Sequence, residues 1–273
     1  MRDEILIEAK NIKKHFPIKT GWFEEKKYVK AVNGISFHIK KGETLGLVGE
    51  SGCGKSTTGR LLSGLIPVDS GSIIFNGKDL SNASKHEWKK YRQKMQMVFQ
   101  DPYASLSPRM KIKDILREPL DIHFKKMSSM EKDKRVEDLL DKCGISKFHL
   151  NKYPHEFSGG QRQRIGIARA LILQPELIIA DEPVSALDVS IQSQILNLMK
   201  DLQEEFNLTY LFISHDLSVV EHISDRVGVM YFGDLVEMGT KEEIFNNPKH
   251  DYTKTLLSSI PQMIPKARRK QLT

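Results

Sequence analysis

Short, wholly apolar runs separated by polar stretches of helical periodicity set the pattern of this chain. Residues 177–180 (LIIA), 210–213 (YLFI) and 227–231 (VGVMY) read as strands buried on both faces. Helical stretches lie between them, so the carboxyl half is expected to be a parallel sheet covered by helices. Upstream, residues 44–48 (TLGLV) form a short apolar strand that runs into a glycine-rich loop. Residues 56–65 then show helical periodicity up to a stop at Pro67. The opening segment differs. Residues 5–13 alternate as an edge-type strand, a polar, aromatic-containing insertion occupies 19–30, and another strand falls near 32–39, which together read as antiparallel β. Residues 72–75 add a strand closed by Asn76 and Gly77, a pair suited to a turn with positive φ.

From residue 85 to about 173 the pattern becomes mostly helical, with 97–99 as the last strand-like piece before the loop DPYASLSPRM. Ser128 and Glu131 match a capping box ahead of Val136, Leu139 and Leu140, which predicts a helix over 129–143 ended by Gly144. No internal repeat or low-complexity tract interrupts this order.

Composition narrows the classes. With 39% hydrophobic and 28% charged residues the chain is expected to fold, and its 273 residues suit one large domain with a subdomain. No run of eighteen apolar residues occurs, so no membrane-spanning helix is expected. The opening MRDEILIEAK lacks the apolar stretch of a secretory signal, and a cytosolic protein is expected. Two cysteines, Cys53 and Cys143, are too few for a disulfide framework or a four-thiolate metal site. The net charge of +7 fits nucleic acid, anionic phospholipid or plain solubility, and the basic cluster at 266–270 (KARRK) reads as a solvated tail.

Three segments carry chemistry. Gly49, Glu50, Ser51, Gly52, Cys53, Gly54, Lys55 and Ser56 match G-x-x-x-x-G-K-[ST] between a strand and a helix. Glycines there let backbone N–H groups turn toward phosphate oxygens, a lysine reaches the β and γ phosphates, a hydroxyl faces Mg²⁺, and the helix N-terminus favours negative charge. Such a loop alone suits kinases and GTPases equally. The apolar strand 177–180 then delivers Asp181 and Glu182 to its carboxyl end, where open α/β sheets bind ligands. Asp181 is the candidate to hold Mg²⁺ through water and Glu182 to polarise an attacking water. A strand end with solvated acids is the plain alternative. Third, Phe157, Ser158, Gly159, Gly160 and Gln161 precede an Arg-rich helical segment, with Ser158 suited to an N-cap. They mark a helix start, or a second phosphate-binding N-terminus serving another subunit's nucleotide.

GESGCGKS, Gln100, FSGGQ, LIIADEP, SALD and Ser214-His215-Asp216 occur in the order seen in ATP-binding-cassette (ABC) ATPases, and this resemblance covers nearly the whole chain. It implies a P-loop NTPase core of α/β type over 1–250, with an N-terminal antiparallel β subdomain and a helical subdomain inserted at about 88–173. In that family two ATPase domains sandwich two ATPs, each held by one glycine loop and the other domain's signature sequence. The resemblance therefore places Ser158, Gly159, Gly160 and Gln161 on a partner's γ-phosphate and Asp188 at the interface. It makes Thr57 part of the nucleotide loop, Gln100 a Mg²⁺- and water-sensing glutamine, and His215 a γ-phosphate switch. The adenine platform falls on Phe16, with Tyr28 and His15 as alternatives across the 19–30 insertion. Phe157 stands where the family signature has leucine, an expected change in packing.

KAVNGISF, FQDPYASLSPRM, DEPVSALDVSIQ, YLFISHDLSVV and NPKHDYTKTLLSSIP resemble oligopeptide and dipeptide importer ATPases, nearer the second, "F"-type subunit of the usual pair. This implies ATP and Mg²⁺ as cofactors and a 251–273 extension of peptide-importer type. It also implies a second ABC ATPase subunit, unlike or identical, two integral membrane permease subunits, and a solute-binding protein acting indirectly. The expected place is the cytoplasmic face of the membrane, without nucleic acid. Some relatives carry a cysteine-rich iron–sulfur site near the carboxyl end; with no cysteine after Cys143, none is expected here.

Overall fold

The computed structural model describes residues 4–18 and 27–259. Most of the expected 19–30 insertion, the basic cluster 266–270 and residues 260–273 of the extension lie outside them. The chain opens with β1 (Ile5–Pro17), β2 (Tyr28–Lys40), β3 (Thr44–Val48), α1 (Lys55–Leu62), β4 (Ser70–Phe75) and β5 (Lys78–Asp79). It continues through α2 (Lys85–Lys94), β6 (Met95–Val98), α3 (Pro102–Ser105), α4 (Ile112–His123), α5 (Ser129–Lys142) and α6 (Gly159–Leu171). The last part is β7 (Leu177–Asp181), α7 (Val189–Phe206), β8 (Thr209–Ile213), α8 (Leu217–Ile223), β9 (Arg226–Tyr231), β10 (Asp234–Thr240), α9 (Lys241–Asn246) and α10 (Asp251–Ser258).

These strands form two sheets. The antiparallel sheet has the order β2-β1-β4-β5, so β1 lies inside it and is not the edge strand its alternation suggests. Alternation reports that one face is buried, as for Ile7 and Ala9, and is silent on how many neighbours the backbone has. The larger sheet has the order β10-β9-β3-β8-β7-β6, parallel from β9 to β6 and closed on one side by antiparallel β10.

Side-chain parity on the larger sheet divides the core in two. Leu45, Leu47, Leu177, Ile179, Leu211 and Ile213 face the antiparallel sheet and α1. Ile178, Ala180, Tyr210, Phe212, Val227 and Val229 face the other way, toward Leu116, Leu140, Ile165 and Leu196 of the helices. A strand buried on both faces has no polar positions to spare, which is why these segments are uninterrupted apolar runs.

The helical segment starts later than expected. β6 pairs in parallel with β7, with Val98 opposite Ala180, and Trp88 and Tyr91 of α2 pack against the core between the sheets. Residues 88–98 therefore sit with the sheets, and α3, α4, α5 and the start of α6 build the helical layer. A short strand beside a polar helix has too few apolar residues to announce its sheet. In α5, Glu131 N–H donates to Ser128 Oγ at 3.2 Å while Ser128 N–H donates to the Glu131 carboxylate at 2.8 Å, and Gly144 follows at φ 70°. No described helix is long and apolar enough to cross a membrane.

Phe212 is fully buried between the larger sheet and the helices. Phe212→Ala is expected to destabilise the fold by about 3–5 kcal/mol, measured as a lower denaturant midpoint with an unchanged slope.

Candidate active site

Parallel register brings four loops to one end of the larger sheet. Leu47 of β3 and Asp181 of β7 both pair with Ile213 of β8, and Ala180 pairs with Val98 of β6. The residues just beyond these strands therefore meet at the carboxyl edge. They line one cleft with Ala31 and Leu256: Gly49, Glu50, Ser51, Gly52, Gly54, Lys55, Ser56 and Thr57, together with Gln100, Glu182 and His215.

The glycine loop wraps around its own lysine. Lys55 Nζ donates to the carbonyls of Gly49 at 2.7 Å and Glu50 at 2.8 Å, and its side chain is buried. Gly54 sits at φ 111°, and a Cβ there would lie 2.0 Å from the Ala31 carbonyl oxygen, so no other residue fits. α1 starts at Lys55, and the N–H groups of its first turn have no partner within the helix, which leaves donors and a positive dipole end at the cleft. Cys53 is buried, and burial raises its thiol pKa above the ordinary 9.0, so it supplies no thiolate.

The two acids of β7 have different surroundings. Asp181 ends the strand, is buried, and accepts a 2.7 Å hydrogen bond from Ser56 Oγ. Burial raises its pKa above the ordinary 3.8, with the Ser56 hydrogen bond opposing. Glu182 follows at φ 48°, a left-handed conformation that is strained for a non-glycine residue, and its N–H donates to the Ile213 carbonyl at 2.9 Å. That turn aims its side chain back over the cleft. Glu182 Oε2 accepts from Gln100 Nε2 at 2.9 Å and lies 3.1 Å from His215 Nδ1.

The other expected residues lie elsewhere. Ser158 and Gln161 form a capping box at the start of α6: Gln161 N–H donates to Ser158 Oγ at 3.3 Å and Ser158 N–H to Gln161 Oε1 at 3.0 Å. Gly160 lies against α7, where a Cβ would come within 2.5 Å of Ile191 Cγ2, and a Cβ on Gly159 would stand 3.4 Å from Leu187 Cδ2. The segment thus packs beside Asp188, which starts α7 and makes no side-chain capping bond. Neither Ser158, Gly159, Gly160, Gln161 nor Asp188 lines the cleft of its own chain. Phe16, Tyr28 and His15 crowd the end of the β1–β2 ladder, where Phe16 pairs with Val29, Tyr28 with Pro17 and His15 with Lys30. None of the three lines the cleft. Ala31 and Leu256, which line the cleft, and Tyr252, which accepts the Glu50 N–H, lie outside the phosphate-loop, acid-pair and FSGGQ segments. Tyr252 and Leu256 come from a distant carboxyl-terminal helix, and only the string NPKHDYTKTLLSSIP marked that region.

The family model described as ABC transporter matches residues 32–185, more than half of the chain. The chain belongs to the ABC transporter family. A second model, the carboxyl-terminal region of oligopeptide/dipeptide transporters, matches residues 236–273. Among relatives, the oligopeptide transport ATP-binding protein AppF of Bacillus subtilis is 60% identical over 94% of this chain and 79% of its own length. The dipeptide transport ATP-binding protein DppF of Escherichia coli is 53% identical over 98% of this chain and 80% of its own. A dimeric ATP-binding cassette solved in a post-hydrolysis state with ADP and phosphate superposes with a TM-score of 0.77 at 29% identity, over 86% of this chain and 99% of that one. As a member of this family, the chain is an ATPase whose hydrolysis is coupled to transport.

A buried acid whose pKa is raised binds its proton more tightly in the folded state, so stability falls as pH rises from 3.8 through the folded value and stays lower above it. Asp181→Asn removes that charge. The variant is expected to melt above the wild type at neutral pH, with the difference shrinking on acidification toward the ordinary carboxylate range, while ATPase activity is lost. Thermal melts across pH check this.

Proposed function

We propose that this chain is the ATP-hydrolysing subunit of a peptide importer, working at the cytoplasmic face of the membrane in a pair with a second ATP-binding subunit. The observation that carries the reading is the convergence on Glu182 Oε2, at the mouth of the glycine loop, of Gln100 at 2.9 Å and His215 at 3.1 Å. A carboxylate so placed takes the proton of a water that attacks the γ-phosphate. Lys55 exchanges its two loop carbonyls for β- and γ-phosphate oxygens, and the glycine loop from Gly49 to Thr57 cradles the phosphates with its amides. His215, more than half exposed, swings between Glu182 and the γ-phosphate. The oxygen donors of Ser56, Asp181 and Gln100 suit Mg²⁺, and the 2.7 Å bond between Ser56 and Asp181 sets two of them side by side; the ion, when bound, would offset charge on the phosphates.

Ser158, Gly159, Gly160 and Gln161 face away from their own cleft and, with Asp188 beside them, serve the partner's nucleotide across the interface. Whether that partner is an unlike sibling or a second copy, each subunit then completes the other's pocket. The groove lined by Leu65, Arg92, Met97, Phe99, Pro119 and Arg169 adjoins the loop after Gln100 and supports docking of two permease subunits there. A solute-binding protein acts through those permeases and not on this chain.

Glu182→Gln is expected to bind ATP and hydrolyse it at least about a hundredfold more slowly, the loss typical of a general base. Near-normal turnover would remove Glu182 from that role. In cells the same variant is expected to abolish uptake of labelled di- and oligopeptides; loss of nickel, glutathione or sugar uptake instead would overturn the cargo. Photo-crosslinkers at positions 103–109 are expected to capture an integral membrane subunit, and capture of none would count against the docking site.

A further inference from the structure

Helix α10 is tied to the glycine loop across 202 residues of sequence. Tyr252, in the first turn of α10, accepts the backbone N–H of Glu50 on its phenolic oxygen at 3.1 Å. One turn later Leu256 lines the same cleft as Gly49, Lys55 and Glu182. Tyr252 is held from behind. The Tyr252 ring packs on Tyr231 with centroids 4.1 Å apart, and Tyr231 meets the edge of Phe232 at 4.6 Å. Glu237 of β10 accepts the N–H groups of Lys249 at 2.7 Å and His250 at 3.0 Å, and His250 Nδ1 accepts Tyr252 N–H at 3.2 Å. Burial raises the Tyr252 pKa above the ordinary 10.0, so the phenol stays neutral.

The contact falls where the loop most needs support. Glycine-rich backbone loses more conformational freedom on ordering than any other, and a loop ordered only when phosphate arrives binds more weakly for it. Here Gly49 and Glu50 are gripped from two sides. Lys55 holds both their carbonyls, and Tyr252 holds the Glu50 N–H. Both grips leave the N–H groups at the start of α1 free for phosphate.

We propose that Tyr252 is a positioning residue for ATP, holding the phosphate loop ready through the Glu50 N–H, and that Leu256 touches the bound nucleotide, so that α10 registers occupancy of the site. This rests on the reading of the cleft as the ATP site. By reciprocity, whatever α10 contributes to ATP affinity, ATP returns as stability of α10.

The test uses the full chain, with binding followed by the fluorescence of a methylanthraniloyl-ATP and amide exchange read over residues 248–259. Tyr252→Phe keeps the ring stack and removes only the acceptor. It is expected to raise Kd and the KM for ATP about fivefold, the effect of one hydrogen bond, with kcat within about twofold of wild type. In the wild type ATP is expected to slow exchange in α10, and in Tyr252→Phe that slowing is lost. Lys55→Ala is the control for the site itself and is expected to abolish binding in the same assay. If Lys55→Ala abolishes binding while Tyr252→Phe binds as tightly as wild type and ATP leaves α10 exchange unchanged, the positioning role is overturned and the ATP site stands. If Lys55→Ala binds normally, the site reading fails and takes this proposal with it.

Discussion

Parallel pairing of β6, β7, β8 and β3 is the constraint from which the rest of the site follows. Parallel strands in neighbouring positions all end at the same edge, so whatever follows each one is delivered to a common place. With Val98 opposite Ala180, Asp181 opposite Ile213 and Leu47 opposite Ile213, Gln100, Glu182, Ser214 with His215, and Gly49 all lie within two residues of these pairs. Four segments spread over more than a hundred residues meet without any long-range contact being specified between their side chains. The two-sided burial of the strands holds this register, because a slip of one residue would exchange the side chains of the two cores.

Stability and chemistry conflict within that meeting place. Asp181 is a buried carboxylate, Glu182 has a strained backbone, and Lys55 is a buried ammonium held by loop carbonyls. Each is offset by what surrounds it: the Ser56 hydroxyl, the Glu182 N–H bond to the Ile213 carbonyl, and the carbonyls of Gly49 and Glu50. The Ser56 hydroxyl and the loop carbonyls can be exchanged for an ion, water or phosphate, while the Ile213 carbonyl keeps the Glu182 backbone in place.

The segment from Ser158 to Gln161 shows how two readings of one motif coexist. Within its own chain it is a capping box, and that accounts for the serine and the glutamine. Gly160 is accounted for by packing, since α7 crosses so near that it has no room for a Cβ, whereas a Cβ on Gly159 would meet Leu187 at an ordinary contact distance. Neither account needs a ligand. The placement of the segment outside its own cleft, next to Asp188, is what makes a role for a second subunit necessary if it has one for nucleotide.

Much of the fold and the centre of the site were already legible in the residues. Runs such as LIIA and YLFI, short and bounded by polar residues, read as two-sided strands, and the glycine, lysine and serine spacing of Gly49 to Ser56 describes a phosphate-loop turn between a strand and a helix. What periodicity could not supply was adjacency. The interior place of β1, the membership of β6 in the larger sheet and the contacts of Glu182 with Gln100 and His215 depend on which backbone lies beside which. The same holds for α10: Tyr252 lies 202 residues from Glu50, and no local pattern records that its hydroxyl reaches the loop. Sequence by itself determined the elements and the phosphate loop, because hydrophobic period and glycine spacing act over a few residues. Tertiary structure alone decided which acids, amides and aromatics share the cleft, because that follows from strand order and helix packing across the whole chain.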